Sequence, residues 1–178
     1  MLFIHADAIE VLKQYGNGAE QNEPSQPSSV YNHEPFAGYE IGGIDMLPDR
    51  LDGVFLSPPW GGMEYSKQAS GKAGFDPVSS ITIESCSDDT VKQEVESSKL
   101  AVKTNGGELL SLTAKAFQGD SKLNGTIAYF LPRNTDGIAL GQIAAASGIG
   151  GSFEMEQNVV NGKVKTVTAY FGQGVEEY

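Results

Sequence analysis

The sequence predicts an open α/β sheet with an antiparallel hairpin at its C-terminal end, and three observations carry that expectation. Short apolar or β-branched runs alternate with segments of helical period, the pattern of strands joined through helices. Near the C-terminus, "SFEMEQNVV" and "KVKTVTAYF" flank Asn161-Gly162, the dipeptide that two-residue hairpin turns favour. Finally, 178 residues at 39% hydrophobic content suffice for one core and leave no room for a second domain of ordinary size. The expected sheet is mostly parallel with an antiparallel edge, in a single domain over 1–178.

Taken in order, "LFIH" is a short strand. "ADAIEVLKQYG" follows as a helix, with Asp7 and Glu10 spaced like a capping box and Gly16 as its stop. From about 16 to 48 the chain turns to Gly, Asn, Gln, Glu, Pro and Ser, a composition too poor in apolar groups to order itself, and an insertion is expected there. "GYEIGGID" is taken as part of it. "DGVFLS" is the next strand and runs straight into Pro58-Pro59. A second polar insertion, with at most a marginal helix, is expected at about 84–105. "GELLSLTAKAF" then places Leu109, Leu112 and Ala116, and Leu110, Ala114 and Phe117, at helical spacing. "GTIAYFL" is a strand that stops at Pro132. "TDGIALGQIAAASG" is a helix with Asn134 or Thr135 as its cap and Gly148 at its close.

Composition excludes several function classes. A net charge of -11 withholds the broad electrostatic attraction on which phosphate-backbone binding depends, so any nucleic-acid contact has to be local. The single Cys86 has no internal disulfide partner, which fits a reducing compartment. The N-terminus carries acid within its first ten residues and no long apolar run, so neither a signal peptide nor a membrane span is expected, and the chain reads as intracellular and soluble. His5 and His33 lack carboxylate or cysteine neighbours at ligand spacing, and no metal is expected. Asp88, Asp89, Glu94 and Glu96 read as a solvated face. Lys163 and Lys165 alternate on one strand, where they either touch RNA or guard against edge pairing.

In α/β sheets of this kind ligands sit beyond the carboxyl ends of the strands. Three unusual segments fall there: "HAD", "SPPWGG" and "PRN". The second has a chemical reading of its own. Prolines fix two φ angles, so the Ser57 hydroxyl and the Pro58 carbonyl are two acceptors in set positions, as a planar exocyclic amine requires. Trp60 beside them offers a face on which a base can stack, worth about 1–3 kcal/mol. A cationic base would gain more. Gly61 and Gly62 leave the approach uncrowded.

A small polar residue followed by Pro-Pro and an aromatic is the amine-methylating signature of class I methyltransferases that use S-adenosylmethionine. "VFLSPPWGG", with an acid and Tyr65 just after it, resembles the trimethylguanosine synthases, the RNA cap hypermethylases. "YFLPRNTD" and "NGKVKTVTAYFG" resemble that family's later blocks in the same order, with the "ELLSLTAKAF" helix between, and "FIHADAIEVL" resembles its third cofactor motif. The similarity covers most of Asp52 to Gly172 apart from the polar stretch around Cys86.

The resemblance implies a class I, Rossmann-like sheet. It implies N2-methylation of the 7-methylguanosine cap of small nuclear or nucleolar RNA to trimethylguanosine, with S-adenosylmethionine as donor and a nuclear location (nucleolus or Cajal body), with the cytoplasm as a second place. Carried over to this chain, Ser57 and Pro58 hold the acceptor amine, Trp60 stacks on the methylated base, and Arg133 faces the cap phosphates, with Asn134 beside it on the substrate side. Asp7 bonds the adenine amino group of the cofactor, with Ala8, Ser57 and Pro58 also lining it. The family's glycine-rich loop and ribose-binding acid have no counterpart here, so the expected sheet lacks the family's first two strands. Two alternatives stay open: a non-catalytic cap-binding or decayed paralogue, and a methyltransferase for another exocyclic amine.

Overall fold

The computed structural model describes residues 2–4, 6–16, 40–42, 47, 51–60, 74–85, 102–117, 125–149, 153–172 and 175. Among them are the strands β1 (Leu2–Ile4), β2 (Glu40–Gly42), β3 (Gly53–Leu56), β4 (Thr82–Ser85), β5 (Val102–Asn105), β6 (Thr126–Pro132), β7 (Phe153–Val160) and β8 (Lys163–Gly172). The helices are α1 (Ala8–Gly16), α2 (Pro77–Ser80), α3 (Gly106–Ala116) and α4 (Gly137–Ala146). His5, His33, Cys86, Asp88, Asp89, Glu94, Glu96, Gly61, Gly62, Tyr65 and most of both expected insertions lie outside the described residues.

The principal sheet has the order β3-β6-β8-β7. β3 runs parallel to β6, whereas β8 is antiparallel to both β6 and β7. The expected C-terminal hairpin is present. Asn161 and Gly162 both take positive φ, 54° and 70°, which is what a two-residue turn matching the strands' twist demands. The expected predominance of parallel pairing holds for β3 with β6 and for β1 with β2, but antiparallel contacts outnumber parallel ones in the four-stranded sheet. The reason is connectivity: a two-residue turn can only return the chain antiparallel, and β8 inserts between β6 and β7.

Period-two alternation places one face of this sheet in the core. Ile127, Tyr129 and Leu131 of β6 and Val167, Ala169 and Phe171 of β8 are all buried. Against them pack Leu109, Leu110 and Ala114 of α3, Leu140 and Ala144 of α4, and Ile9 and Leu12 of α1. Each large apolar side chain so buried contributes about 1.5–3 kcal/mol.

The helix ends are tied by side chains. Asp7 Oδ1 accepts from the Ile9 and Glu10 amides at 2.8 and 3.4 Å, so Asp7 caps α1 as its spacing predicts. Asn105 and Glu108 form a complete capping box on α3. At α4 the expected cap is corrected. Asp136, not Asn134 or Thr135, accepts from the Ile138 and Ala139 amides at 2.9 and 3.1 Å, because an aspartate one residue before the first helical turn reaches two orphan donors. Gly148 closes that helix with φ 72°, as expected. Replacing Asn105 by alanine removes the side-chain half of the box, which accepts from the Gly107 and Glu108 amides, while the backbone N–H at 105 can still donate to Glu108; the change is expected to cost about 0.5–2 kcal/mol. A lower denaturant midpoint at unchanged slope would show it.

Four elements appear where none was expected. Glu40–Gly42, within the stretch taken as insertion, pairs in parallel with β1. β4 and β5 form an antiparallel pair that brackets the second polar stretch. Ahead of β4, Asp76 caps the short α2, with Pro77 at its first turn.

A candidate acceptor site at the strand ends

The parallel ladder between β3 and β6 ends at the pair Leu56 and Tyr129. Beyond it β3 continues into Pro58 and Pro59, which carry no N–H, so the strand cannot go on donating. The donor comes from further along: Trp60 Nε1 donates to the Phe130 carbonyl at 3.2 Å. The indole also packs on the Phe130 ring, centroids 5.2 Å apart and tilted by 43°. The shelf is therefore bent back and pinned to the next strand by its own tryptophan. Pro58 is buried beneath it, Ser57 is exposed, and Trp60 is half-buried, resting on the core with part of its ring accessible. Ser57 takes no hydrogen bond from the described residues.

The neighbouring strand end is held from a side that sequence reasoning missed. Buried Phe75 donates its amide to the Asn134 carbonyl at 2.6 Å and accepts from the Asp136 amide at 2.9 Å, a parallel bridge to the segment after β6. Gly74 permits the approach, since a Cβ there would lie 2.5 Å from the Asn134 carbonyl oxygen. The usable signal was "GFDP", a glycine and a buried aromatic just ahead of a capped, proline-led helix turn. Thr135 finishes the turn, its hydroxyl donating to the Pro132 carbonyl at 2.7 Å.

Parallel pairing of β3 with β6 brings Ser57, Pro58 and Trp60 to the same end of the sheet as Arg133 and Asn134. Arg133 is exposed and makes no ion pair among the described residues. Asn134 is half-buried, and its Oδ1 is a buried acceptor with no hydrogen-bond partner among the described residues. Asp7 and Ala8 follow β1, which pairs with β2 in a two-stranded sheet of its own, so the hydrogen-bonded ladder does not link them to the shelf. They share the core instead, through Ile9 and Leu12. Lys163 and Lys165 are exposed on the stretch of β8 that runs past the end of its pairing with β6. Among the described residues no cluster of three or more His, Cys, Asp or Glu is placed to hold a metal ion. None of the described helices is long and apolar enough to cross a membrane.

A family model described as RNA cap guanine-N2 methyltransferase matches residues 43–174. The chain belongs to that family. The matched span contains the proline shelf, α3, the "PRN" strand end and the whole β7-β8 hairpin, whereas Asp7 and Ala8 precede it. For a cap guanine-N2 methyltransferase the acceptor is an exocyclic amine on a purine. The shelf brings an exposed hydroxyl, a proline carbonyl and an indole together at one strand end.

Proposed function

We propose that the chain methylates the exocyclic N2 of a 7-methylguanosine RNA cap, with S-adenosylmethionine as donor, giving trimethylguanosine on small nuclear or nucleolar RNA in the nucleus. The observation that carries this reading is the pinned Ser57-Pro58-Pro59-Trp60 shelf at the end of β3, inside the span matched by the family.

In this reading the Ser57 hydroxyl oxygen and the Pro58 carbonyl accept the two N–H groups of the amine, which directs its lone pair away from the shelf. Trp60 stacks on the 7-methylated ring, whose positive charge suits an indole face. Arg133 presents a planar fork to the cap phosphates, and Asn134 stands beside it. S-adenosylmethionine, when bound, supplies an electrophilic methyl group on a sulfonium centre. Its adenine end would fall to Asp7, whose carboxylate is the type of acceptor that an adenine amine N–H requires. Ala8, Ser57 and Pro58 would line the remainder. The chain's contribution to rate is orientation, worth about 7–11 kcal/mol at its best. No strong acid or base is required at the acceptor.

A second reading, cap binding without transfer, draws support from the separation of β1 and Asp7 from the shelf's sheet. Calorimetry separates the two. Binding of both a 7-methylguanosine cap analogue and S-adenosylmethionine supports the enzyme, and binding of the cap analogue alone supports the second reading. Indifference to the cap analogue overturns both.

Ser57 and Arg133 should fail differently. Ser57→Ala disturbs the reacting nitrogen and is expected to lower kcat, while Arg133→Ala removes a contact made alike before and during reaction and is expected to raise KM. Steady-state kinetics on capped RNA with a labelled methyl donor would show the split. The reverse pattern would mean that the two strand ends have exchanged roles.

A further inference from the structure

The ladder between β6 and β8 ends at Pro132, opposite Thr166. Arg133 and Asn134 lie beyond it, as the two central residues of a turn that the Thr135 amide closes by donating to the Pro132 carbonyl at 3.1 Å. The Thr135 hydroxyl donates to the same carbonyl. Among the described residues, Phe75 ties this turn to the core. Its amide donates to the Asn134 carbonyl at 2.6 Å and its carbonyl accepts from the Asp136 amide at 2.9 Å, so both of its backbone groups hold the residues that follow Arg133. The Phe75 ring, 2% exposed, is the anchor. Asp136 carries the tie onward, since its carboxylate caps α4. Gly74 makes the approach possible: a Cβ there would lie 2.5 Å from the Asn134 carbonyl oxygen and 3.0 and 3.2 Å from the Asp136 amide nitrogen and Cα, all backbone atoms that cannot swing aside.

We propose that Gly74 and Phe75 are positioning residues for phosphate recognition, fixing the backbone from which Arg133 reaches the cap phosphates. The inference rests on the reading of Arg133 given above and adds the residues that make its contact effective. An arginine on an untied turn has to order its backbone as well as its side chain when a phosphate arrives, and that ordering opposes binding. Here the fold has ordered the backbone beforehand. Recognition of the base depends on a different tie, the bond from Trp60 to the Phe130 carbonyl, so loosening the turn should weaken the phosphate contact alone.

Calorimetry with the 7-methylguanosine nucleoside and with 7-methylguanosine 5′-triphosphate measures the gain in affinity that the phosphates bring. Gly74→Ala is expected to reduce that gain about three- to tenfold and to leave the nucleoside within about twofold. Thr135→Val loosens the same turn from inside and is expected to reduce the gain as well; it decides the matter if Gly74→Ala does not fold. In an Arg133→Ala background neither change should reduce the gain further, because the three residues act as one unit. Phe153→Leu removes a ring stacked on Phe171 at the opposite end of β8, and is expected to lower the melting temperature while keeping the gain. A gain unchanged in the folded turn variants, a gain lost equally in Phe153→Leu, or effects that add in full to that of Arg133→Ala would overturn the inference and leave the cap reading intact. A parent chain that binds the triphosphate no better than the nucleoside, or binds neither, would instead overturn the reading of Arg133 and this inference with it.

Discussion

Tyr129→Ala is expected to destabilise the chain by about 3–5 kcal/mol, and Tyr129→Phe by about 0.5–1.5 kcal/mol. Tyr129 sits in the middle of β6, is fully buried, and donates its hydroxyl to the Gly106 carbonyl at 3.1 Å. Truncation to alanine empties a space lined by α3 and the sheet. Truncation to phenylalanine keeps the ring and removes one of the two donors to the Gly106 carbonyl, which as the first residue of α3 still accepts along the helix. The contact is closely fitted, since a Cβ on Gly106 would come within 2.8 Å of the Tyr129 oxygen and 2.6 Å of the Pro77 carbonyl. Urea unfolding of the two variants separates ring from hydroxyl. A neutral Tyr129→Phe would show that the helix bond alone satisfies the Gly106 carbonyl. Burial also pushes the Tyr129 phenol well above its ordinary pKa. A group whose pKa is raised on folding gives its full stability below the unfolded pKa, about 10, and loses it as pH rises beyond that. Tyr129→Phe should therefore soften the alkaline loss of stability that the parent chain shows.

Where local rules decide, the sequence was readable. Asn161-Gly162 forms the hairpin because both residues must take positive φ and this pair tolerates it. The "ELLSLTAKAF" spacing buries Leu109, Leu110, Ala114 and Phe117 because helical period and burial coincide. The prolines after β3 announced a rigid strand end. What escaped reading depends on partners distant in sequence. Glu40–Gly42 carries no strand signal of its own strength and is ordered by pairing with β1. Val102–Asn105 lies in a polar run, and its pairing with Thr82–Ser85 across some sixteen intervening residues is invisible to any local window. Phe75 looks like one aromatic among several until the fold lays it against Asn134 and Asp136. At the candidate site, Ser57, Pro58, Trp60, Arg133 and Asn134 could be named because they cluster at two strand ends. The indole-to-Phe130 bond could not, since no pattern reveals that a side-chain donor replaces the amides that Pro58 and Pro59 lack.

Trp60→Ala is expected to reduce affinity for 7-methylguanosine cap analogues by about 1–3 kcal/mol, or roughly 5- to 150-fold. Two losses are combined in that variant. The indole is the proposed stacking face, and it also fastens the shelf through Nε1 to the Phe130 carbonyl and through its ring to Phe130. Without it, Ser57 and Pro58 are no longer held in line with the end of β6, so the amine acceptors are displaced together with the stack. Trp60→Phe separates these effects: a phenyl ring can still stack, more weakly, but donates nothing to Phe130. Its affinity should fall between those of the parent and the alanine variant, and the part that remains lost measures the pin. The charge of the ligand gives an independent control. A 7-methylated base is cationic and an unmethylated guanosine cap is not, so the parent chain should prefer the methylated analogue and Trp60→Ala should lose most of that preference. Fluorescence cannot follow a variant without its only tryptophan, so calorimetry, carried out well below the melting temperature of each variant, is the measurement. Equal affinity of the parent chain for methylated and unmethylated caps would remove Trp60 from the recognition of the base and leave it the pin of the shelf alone.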